Sequence, residues 1–323
     1  MIAGTLVGTM RAGLRRRVAT LNIQGLVPYS LAWQLQQKLV AQRIVWQKEE
    51  QSGFDAMLVL EHSPVYTLGR SAKPGDVKFP LVEGTGQGGR GFEVFKTDRG
   101  GQVTWHGPGQ IVIYPVVDLT HHKKDLRWYV RGLEEVVLRV LALHGVEGQR
   151  DEKHTGVWVK EQGPEGEELT KVAAIGVSAS RWVTCHGLAL NVDPDLRAFE
   201  SIVPCGVRDR RVGCLKTLLS PHVAAELTTA QVRYELMEAF EDVFPSMELC
   251  VQEKKDQLKG TVDEMVLEDE EREDYIFVTD GTEQNVHHCQ GLLRAFLPEK
   301  KRAGKKMVEK ESNFPDKTHQ EIL

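Results

Sequence analysis

A cysteine set between proline and glycine, Pro204-Cys205-Gly206, is a thiol in a loop rather than among apolar neighbours, a setting that leaves sulfur open to reaction. The thiolate is the nucleophile, and at an ordinary pKa of about 8.5 only a few per cent is ionised at neutral pH. Lowering that pKa by about two units takes roughly 2.7 kcal/mol of preferential thiolate stabilisation, which one close ammonium in a partly desolvated site can supply. Lys171 is a candidate for that ammonium, because it opens the small-residue run Val172-Ala173-Ala174-Ile175-Gly176, where a ligand meets little side-chain bulk. Spacing alone equally fits a solvated lysine at a strand end and an incidental surface cysteine.

Four glycines between Arg99 and Gly109 let the backbone come close to a ligand, and His106 lies among them. The stretch lacks the spacing of a Walker A loop, and no GxGxxG joins a strand to a helix, so a nucleotide site is not supported. A glycine-flanked histidine is more often structural than catalytic. His121-His122 and His287-His288-Cys289 are adjacent ligand types without a second pair at zinc spacing, and they read as loop histidines rather than a metal site.

The elements that must position these residues follow from periodicity. Thr20–Gly25 reads as a first strand, and Tyr29–Glu49 as a helix with Ala32, Leu35, Leu39 and Trp46 on one face. Ala56–Glu61 and Val65–Gly69 are short strands around the Ser63-Pro64 turn, and Pro80–Gly91 reads as a glycine-rich loop. Phe92–Leu119 is strand-like on both sides of its glycines, and Leu126–His144 is an amphipathic helix stopped at Gly145. Strands resume at Gly156–Lys160, Lys171–Ser178 and Arg181–Val192, with the polar Glu161–Thr170 as their connection. A helix near Thr229–Phe244 closes the folded part. Hairpins mixed with separate helices point to α+β, mixed sheets with helices packed on them.

With 323 residues, 41% hydrophobic and 27% charged, the chain can bury a sizeable core. A net charge of -5 argues against nucleic-acid binding, and no apolar run is long enough for a membrane span. Five scattered cysteines without a CxxC pair suggest no disulfide framework. Residues 1–48 contain no Asp or Glu, while Arg11, Arg15, Arg16 and Arg17 cluster near the start, the composition of a mitochondrial transit peptide. Beyond Cys250 the chain turns to Glu, Lys and Asp and reads as a charged, mostly disordered extension.

Four segments occur in order: RGGQVTWHGPGQ (Arg99–Gln110), KVAAIGV (Lys171–Val177), HGLALNV (His186–Val192) and VPCG (Val203–Gly206). Together they resemble the lipoyl(octanoyl) transferase family, in its mitochondrial octanoyl-[acyl carrier protein]:protein N-octanoyltransferase form, over about Val18–Phe244. The resemblance implies the fold of biotin and lipoate protein ligase catalytic domains. It divides the chain into a transit peptide (1–17), a catalytic domain (18–249) and the extension (250–323). It implies an acyltransferase that moves octanoyl from octanoyl-acyl carrier protein, through a thioester on Cys205 partnered by Lys171, to a lysine of lipoyl domains or a glycine-cleavage H-type protein. No cofactor or metal is implied, and the location implied is the mitochondrial matrix. The acyl pocket it implies is lined by Arg99, Gly100, Gly101, Gln102, Val103, Thr104, Trp105 and His106, by Ala174, Ile175 and Gly176, and by Gly187, Leu188 and Ala189.

The chemistry is self-consistent, because exchanging one thioester for another needs no nucleotide energy, and Lys171 could afterwards take the proton of the attacking amine. Arg208, Arg210 and Arg211 are candidates to meet an acidic carrier protein. Two alternatives stay open: an ATP-dependent lipoate or biotin ligase, which would not need Cys205, and a non-catalytic protein that binds carrier or lipoyl domains. The targeting expectation is tested by fusing residues 1–30 to a reporter. Import into mitochondria is expected, and a reporter left in the cytosol sinks the idea.

Overall fold

The computed structural model describes residues 16–49, 54–82, 87–88, 92–163, 166–203, 211–245, 247–250 and 277–279. The strands in chain order are β1 (Arg16–Val27), β2 (Asp55–His62), β3 (Val65–Leu68), β4 (Leu81–Val82), β5 (Gln87–Gly88), β6 (Phe92–Lys96), β7 (Val103–His106) and β8 (Gln110–Val116). They continue with β9 (Gly148–Arg150), β10 (Val157–Gly163), β11 (Gly166–Ser180), β12 (Val183–Asn191), β13 (Arg211–Val212), β14 (Met247–Cys250) and β15 (Phe277–Thr279). The helices are α1 (Tyr29–Lys48), α2 (Leu126–Leu143), α3 (Pro221–Glu226) and α4 (Thr229–Val243).

One mixed sheet runs β14-β1-β2-β8-β12-β11-β10-β9, and a smaller one runs β4-β5-β6-β3-β7. The central strands are apolar at nearly every position because both faces of the large sheet are covered, and period-two alternation sorts their side chains between two cores. Met57, Val59, Ile111, Ile113, Leu188 and Leu190 face α2 and α4, where they meet Leu133, Val136, Val137, Leu236 and Phe240. Leu58, Leu60, Val112, Tyr114 and Ala189 face α1 on the other side, against Leu35 and Leu39. A third core under the small sheet joins Tyr66, Val94 and Trp105 to Val77, Phe199 and Ile202.

The α+β reading and the three long helices match the sequence analysis, and Asp125 caps α2 by accepting from Trp128 N at 3.0 Å. Three segments differ. The predicted polar connection Glu161–Thr170 is mostly strand, with Glu161 paired to Glu168 and Gly163 to Gly166, so only residues 164–165 remain between the strands. Its polar side chains reflect a two-stranded ribbon wetted on both faces, which the ladder's backbone bonds hold without a core. The predicted loop Pro80–Gly91 contains β4 and β5. β1 begins at Arg16, inside the predicted transit peptide, and β14 and β15 pair with it in parallel from beyond the predicted end of the fold.

Gly132, in the middle of α2, marks where that helix meets the end of α4: an added Cβ would lie 2.4 Å from the Phe244 ring. Phe244 is itself enclosed by the rings of Trp128, Tyr129 and Phe240, with centroids 4.8–5.8 Å away. Gly132→Ala would gain about 1 kcal/mol of helix propensity but overpack a fixed ring at a cost of about 1–3 kcal/mol. A net loss of stability is expected in urea denaturation, and a gain would show that the aromatic cluster yields.

Candidate active site

Lys171 sits within β11, opposite Trp158 of β10 and beside Val212 of β13. The β10–β11 register shifts between Val157 and Trp158, a bulge of the kind that redirects side chains at sites. Lys171 Nζ donates to the Thr155 carbonyl at 3.0 Å and lies 5.1 Å from the centre of the Trp158 ring, a cation–π contact. Gly156 makes room for it: at φ 132°, a Cβ there would come within 2.6 Å of Lys171 Cε.

A cavity of about 360 Å³ opens beside this lysine. Its roof is the segment between β6 and β7, which crosses β11 where Gly100 N donates to Val177 O at 2.9 Å. Gly176 permits the crossing, since a Cβ there would stand 2.9 Å from Gly100 O. Arg99, Gly100, Gly101, Gln102, Val103, Thr104 and His106 line the cavity, as do Lys171, Ala174, Ile175, Gly176, Gly187, Leu188 and Ala189. One expected wall residue is elsewhere. Trp105 alternates to the opposite face of β7 and packs edge-on against Phe199 in the small sheet's core, 5.5 Å between centroids.

Cys205, with Arg208 and Arg210, falls outside the described residues; Arg211 is exposed in β13. The flanks are described: Val203 N donates to Asp76 O at 2.8 Å, and β13 resumes beside Thr170 and Lys171. Cys185 and Cys214 are free and buried, and burial pushes the Cys185 thiol up to about 12, so it stays protonated at neutral pH.

Arg99 is an anchor. Its Nη2 donates to the Thr67 carbonyl at 2.7 Å and to the Thr67 hydroxyl at 2.9 Å, and its Nη1 to Gly100 O at 3.0 Å. The Thr67 hydroxyl, accepting from Arg99, has its own hydrogen for His106 Nε2 at 3.4 Å. Gln110 Oε1 accepts from His106 Nδ1 at 2.7 Å, and its amide is oriented by donating to Asn191 Oδ1 at 2.8 Å. Both imidazole nitrogens of His106 are therefore engaged. Burial and the neighbouring His62 hold it well below the usual histidine range, so it is a neutral positioning group.

Several wall residues had no signal in the sequence: Tyr29, Ser71, Tyr114, His154 and Thr155; His186, at the head of the HGLALNV segment, joins them in the wall. His186 has φ 62°, donates from Nε2 to Asp98 Oδ1 at 2.8 Å and stacks on Trp33 at 4.8 Å. Burial draws its pKa down while Asp98 opposes the shift. His121 and His122 pair with Asp118 and Asp55 beside the buried Arg43, away from the cavity. Among the described residues no three His, Cys, Asp or Glu are grouped as metal ligands, and His287–Cys289 fall outside them.

The family model for the lipoyl protein ligase A/B catalytic domain matches residues 28–241. An octanoyltransferase of Gloeobacter violaceus is 47% identical over 220 residues, covering 68% of this chain and 87% of that protein. A chloroplastic octanoyltransferase of Arabidopsis thaliana is 40% identical over 225 residues, covering 68% and 75%. The fold is similar to that of Plasmodium falciparum LipL1 crystallised with lipoate, at a TM-score of 0.50 and 10% identity over 72% of this chain and 66% of that one.

Beneath the cavity, His62 is enclosed: Val27 O accepts from Nδ1 at 2.9 Å, leaving Nε2 to accept from the Tyr114 hydroxyl at 2.8 Å. Burial pushes its pKa down from 6.5 to about 4. The unfolded chain takes up this proton as pH falls below about 6.5 and the folded chain does not until about 4, so stability is full above that window and lost within it. The unfolding free energy should fall by about 2 kcal/mol between pH 7.5 and 5 from this group alone, and His62→Gln should flatten the fall. Urea denaturation at the two pH values checks it; an unchanged slope in the variant would remove His62 from the effect.

Proposed function

This chain belongs to the lipoyl protein ligase A/B catalytic domain family, and we propose that it moves an octanoyl group from octanoyl-acyl carrier protein to a lysine amine of lipoyl domains. The transfer passes through a thioester on Cys205, and it is the first step of endogenous protein lipoylation. The observation that carries this reading is the cavity itself. The buried Lys171 borders it, and much of its wall is glycine backbone and apolar side chains, Ala174, Ile175, Leu188 and Ala189 among them, beside the polar Arg99, Gln102, Thr104 and His106. An acyl chain is bound there by burial, at up to about 0.8 kcal/mol per methylene. The octanoyltransferase relatives support the chain's identity as an acyltransferase.

In this reading Lys171 stabilises the Cys205 thiolate as it attacks the donor thioester, and again as it leaves the acyl group. The donor's C–S bond breaks as the Cys205 C–S bond forms, and the electron pair of the broken bond leaves on the carrier's sulfur as a thiolate. Arg99 and His106 hold the roof of the pocket in place. The catalytic domain is 18–249, with 1–17 as a transit peptide and 250–323 as an extension. The acceptors are lipoyl domains or a glycine-cleavage H-type protein.

The location proposed is organellar, in the mitochondrial matrix. The chloroplastic relative favours a plastid as the second reading, and a plastid-imported fusion of residues 1–30 would decide for it. The family model, which also describes ligases, favours an ATP-dependent ligase as the rival activity. Intact mass of the protein after exposure to octanoyl-acyl carrier protein should show an octanoyl adduct that Cys205→Ala abolishes, with transfer proceeding without ATP. Absolute dependence on ATP, or a fully active Cys205→Ser variant, overturns the transferase reading.

A further inference from the structure

The roof of the cavity is tied to the two sheets by residues that alternate along it. Arg99 and Gly101 face β3 of the small sheet and the turn that follows it. Arg99 Nη2 donates to the Thr67 carbonyl at 2.7 Å, and Arg99 O and Gly101 O accept from the backbone N–H groups of Arg70 and Ser71, each at 3.0 Å. Asp98 and Gly100 face the large sheet. Gly100 N donates to Val177 O at 2.9 Å, and the Asp98 carboxylate reaches two strands: Oδ2 accepts from Ser178 Oγ of β11 at 3.0 Å, and Oδ1 from His186 Nε2 of β12 at 2.8 Å. His186 meets it from an uncommon backbone conformation. Its φ of 62° lies in the left-handed region that residues with side chains rarely adopt, and it is kept there by its N–H donating to Gln36 Oε1 at 2.9 Å and by its ring stacking on Trp33 at 4.8 Å. The two sets of ties differ in exposure: Arg99 is buried, whereas the Asp98 side chain is 57% exposed over a His186 that is only 2% exposed.

We propose that Asp98 is a positioning residue for the acyl chain: through Ser178 and His186 it holds the roof down on β11 and β12, and so sets how tightly the cavity keeps its occupant. This rests on the cavity being the acyl site. Asp98 does not itself line the cavity; it acts through His186 in the wall and Gly100 in the roof, which do. An acyl chain gains affinity in proportion to the apolar surface that its pocket removes from water, so a roof that lifts gives part of that affinity back. Without the carboxylate, the Gly100 bond to Val177 is left to close the roof, and one backbone hydrogen bond contributes little net. The roof would then follow the small sheet, to which Arg99 is fixed by buried bonds to Thr67. A carboxylate suits the task, because hydrogen bonds to an ionised acceptor are roughly twice as strong as neutral ones. The His186 bond holds the Asp98 carboxyl below the usual carboxylate range, so it is ionised at neutral pH.

Calorimetric titration of sodium octanoate into the full chain reads this tie without any step of chemistry. Asp98→Ala should bind octanoate about tenfold more weakly than wild type, and Ser178→Ala, which removes one of the two bonds, about threefold more weakly. The double variant should be no weaker than Asp98→Ala, because both substitutions cut the same tie. In steady-state transfer from octanoyl-acyl carrier protein to a recombinant lipoyl domain, Asp98→Ala should raise KM for the donor by a similar factor and leave kcat within about twofold, a split that a general loosening of the fold does not produce. Octanoate affinity within twofold of wild type in Asp98→Ala, or losses that add in the double variant, overturns the proposal. If Asp98→Ala fails to fold, Ser178→Ala and Asp98→Asn, which can keep both contacts without the charge, decide: unchanged affinity in both overturns it. No uptake of octanoate by the wild type is the separate failure of the acyl-site reading, and the proposal falls with it.

Discussion

Two backbones touch at Gly100 and Gly176, and the cavity is the space that this contact roofs. The Gly100 N–H donates to Val177 O at 2.9 Å, and a methyl group at Gly176 would stand 2.9 Å from Gly100 O. A hydrogen bond of this kind contributes only about 1 kcal/mol net, so it does not hold the roof alone. The Arg99 guanidinium adds four hydrogen bonds to Thr67 and Gly100, tying the roof to β3 of the small sheet. Behind it, Thr67, His106, Gln110 and Asn191 form one polar chain that ends at the Gly213 carbonyl. Every imidazole and amide in that chain is paired, the condition under which a buried polar network rigidifies a site rather than weakening it.

The same arrangement explains which residues sequence reasoning could reach. Periodicity finds α1, α2 and α4 because each buries a broad apolar face, and it finds β2, β8 and β12 because continuous apolar runs mean a sheet covered on both sides. It misreads Glu161–Thr170, where polarity follows solvent on both faces of a ribbon and not the backbone conformation. The wall residues on the Arg99, Lys171 and His186 segments are legible through the family resemblance, and Trp105 is the exception because a contiguous motif ignores strand alternation. His154 and Tyr29 carry no signal at all. Their place at the cavity depends on a turn wrapped around Asp151 and on the entry angle of α1, tertiary facts that no local pattern encodes.

The electrostatics of the site divide by depth. His62, beneath the cavity, and His106, in its wall, are held neutral by burial, and His106 is locked between Thr67 and Gln110. His154, nearer solvent, is aligned by the Asp151 carboxylate through Nδ1. Histidines of one chain thus differ in what they can do because of enclosure and partners, without any difference in intrinsic chemistry.

The chain on either side of Cys205 is moored to two different structures. Val203 bonds to Asp76 in the neighbourhood of the small sheet's core, whereas Arg211 and Val212 lie along β11 of the large sheet, next to Lys171. The cavity occupies the seam between these two sheets. Lys171 is therefore fixed to one bank of the seam, while the Arg99 segment that roofs the cavity is tied to the other through Thr67. The width of the cavity becomes a mechanical reading of how far apart the banks stand, set by whatever fills the space between them.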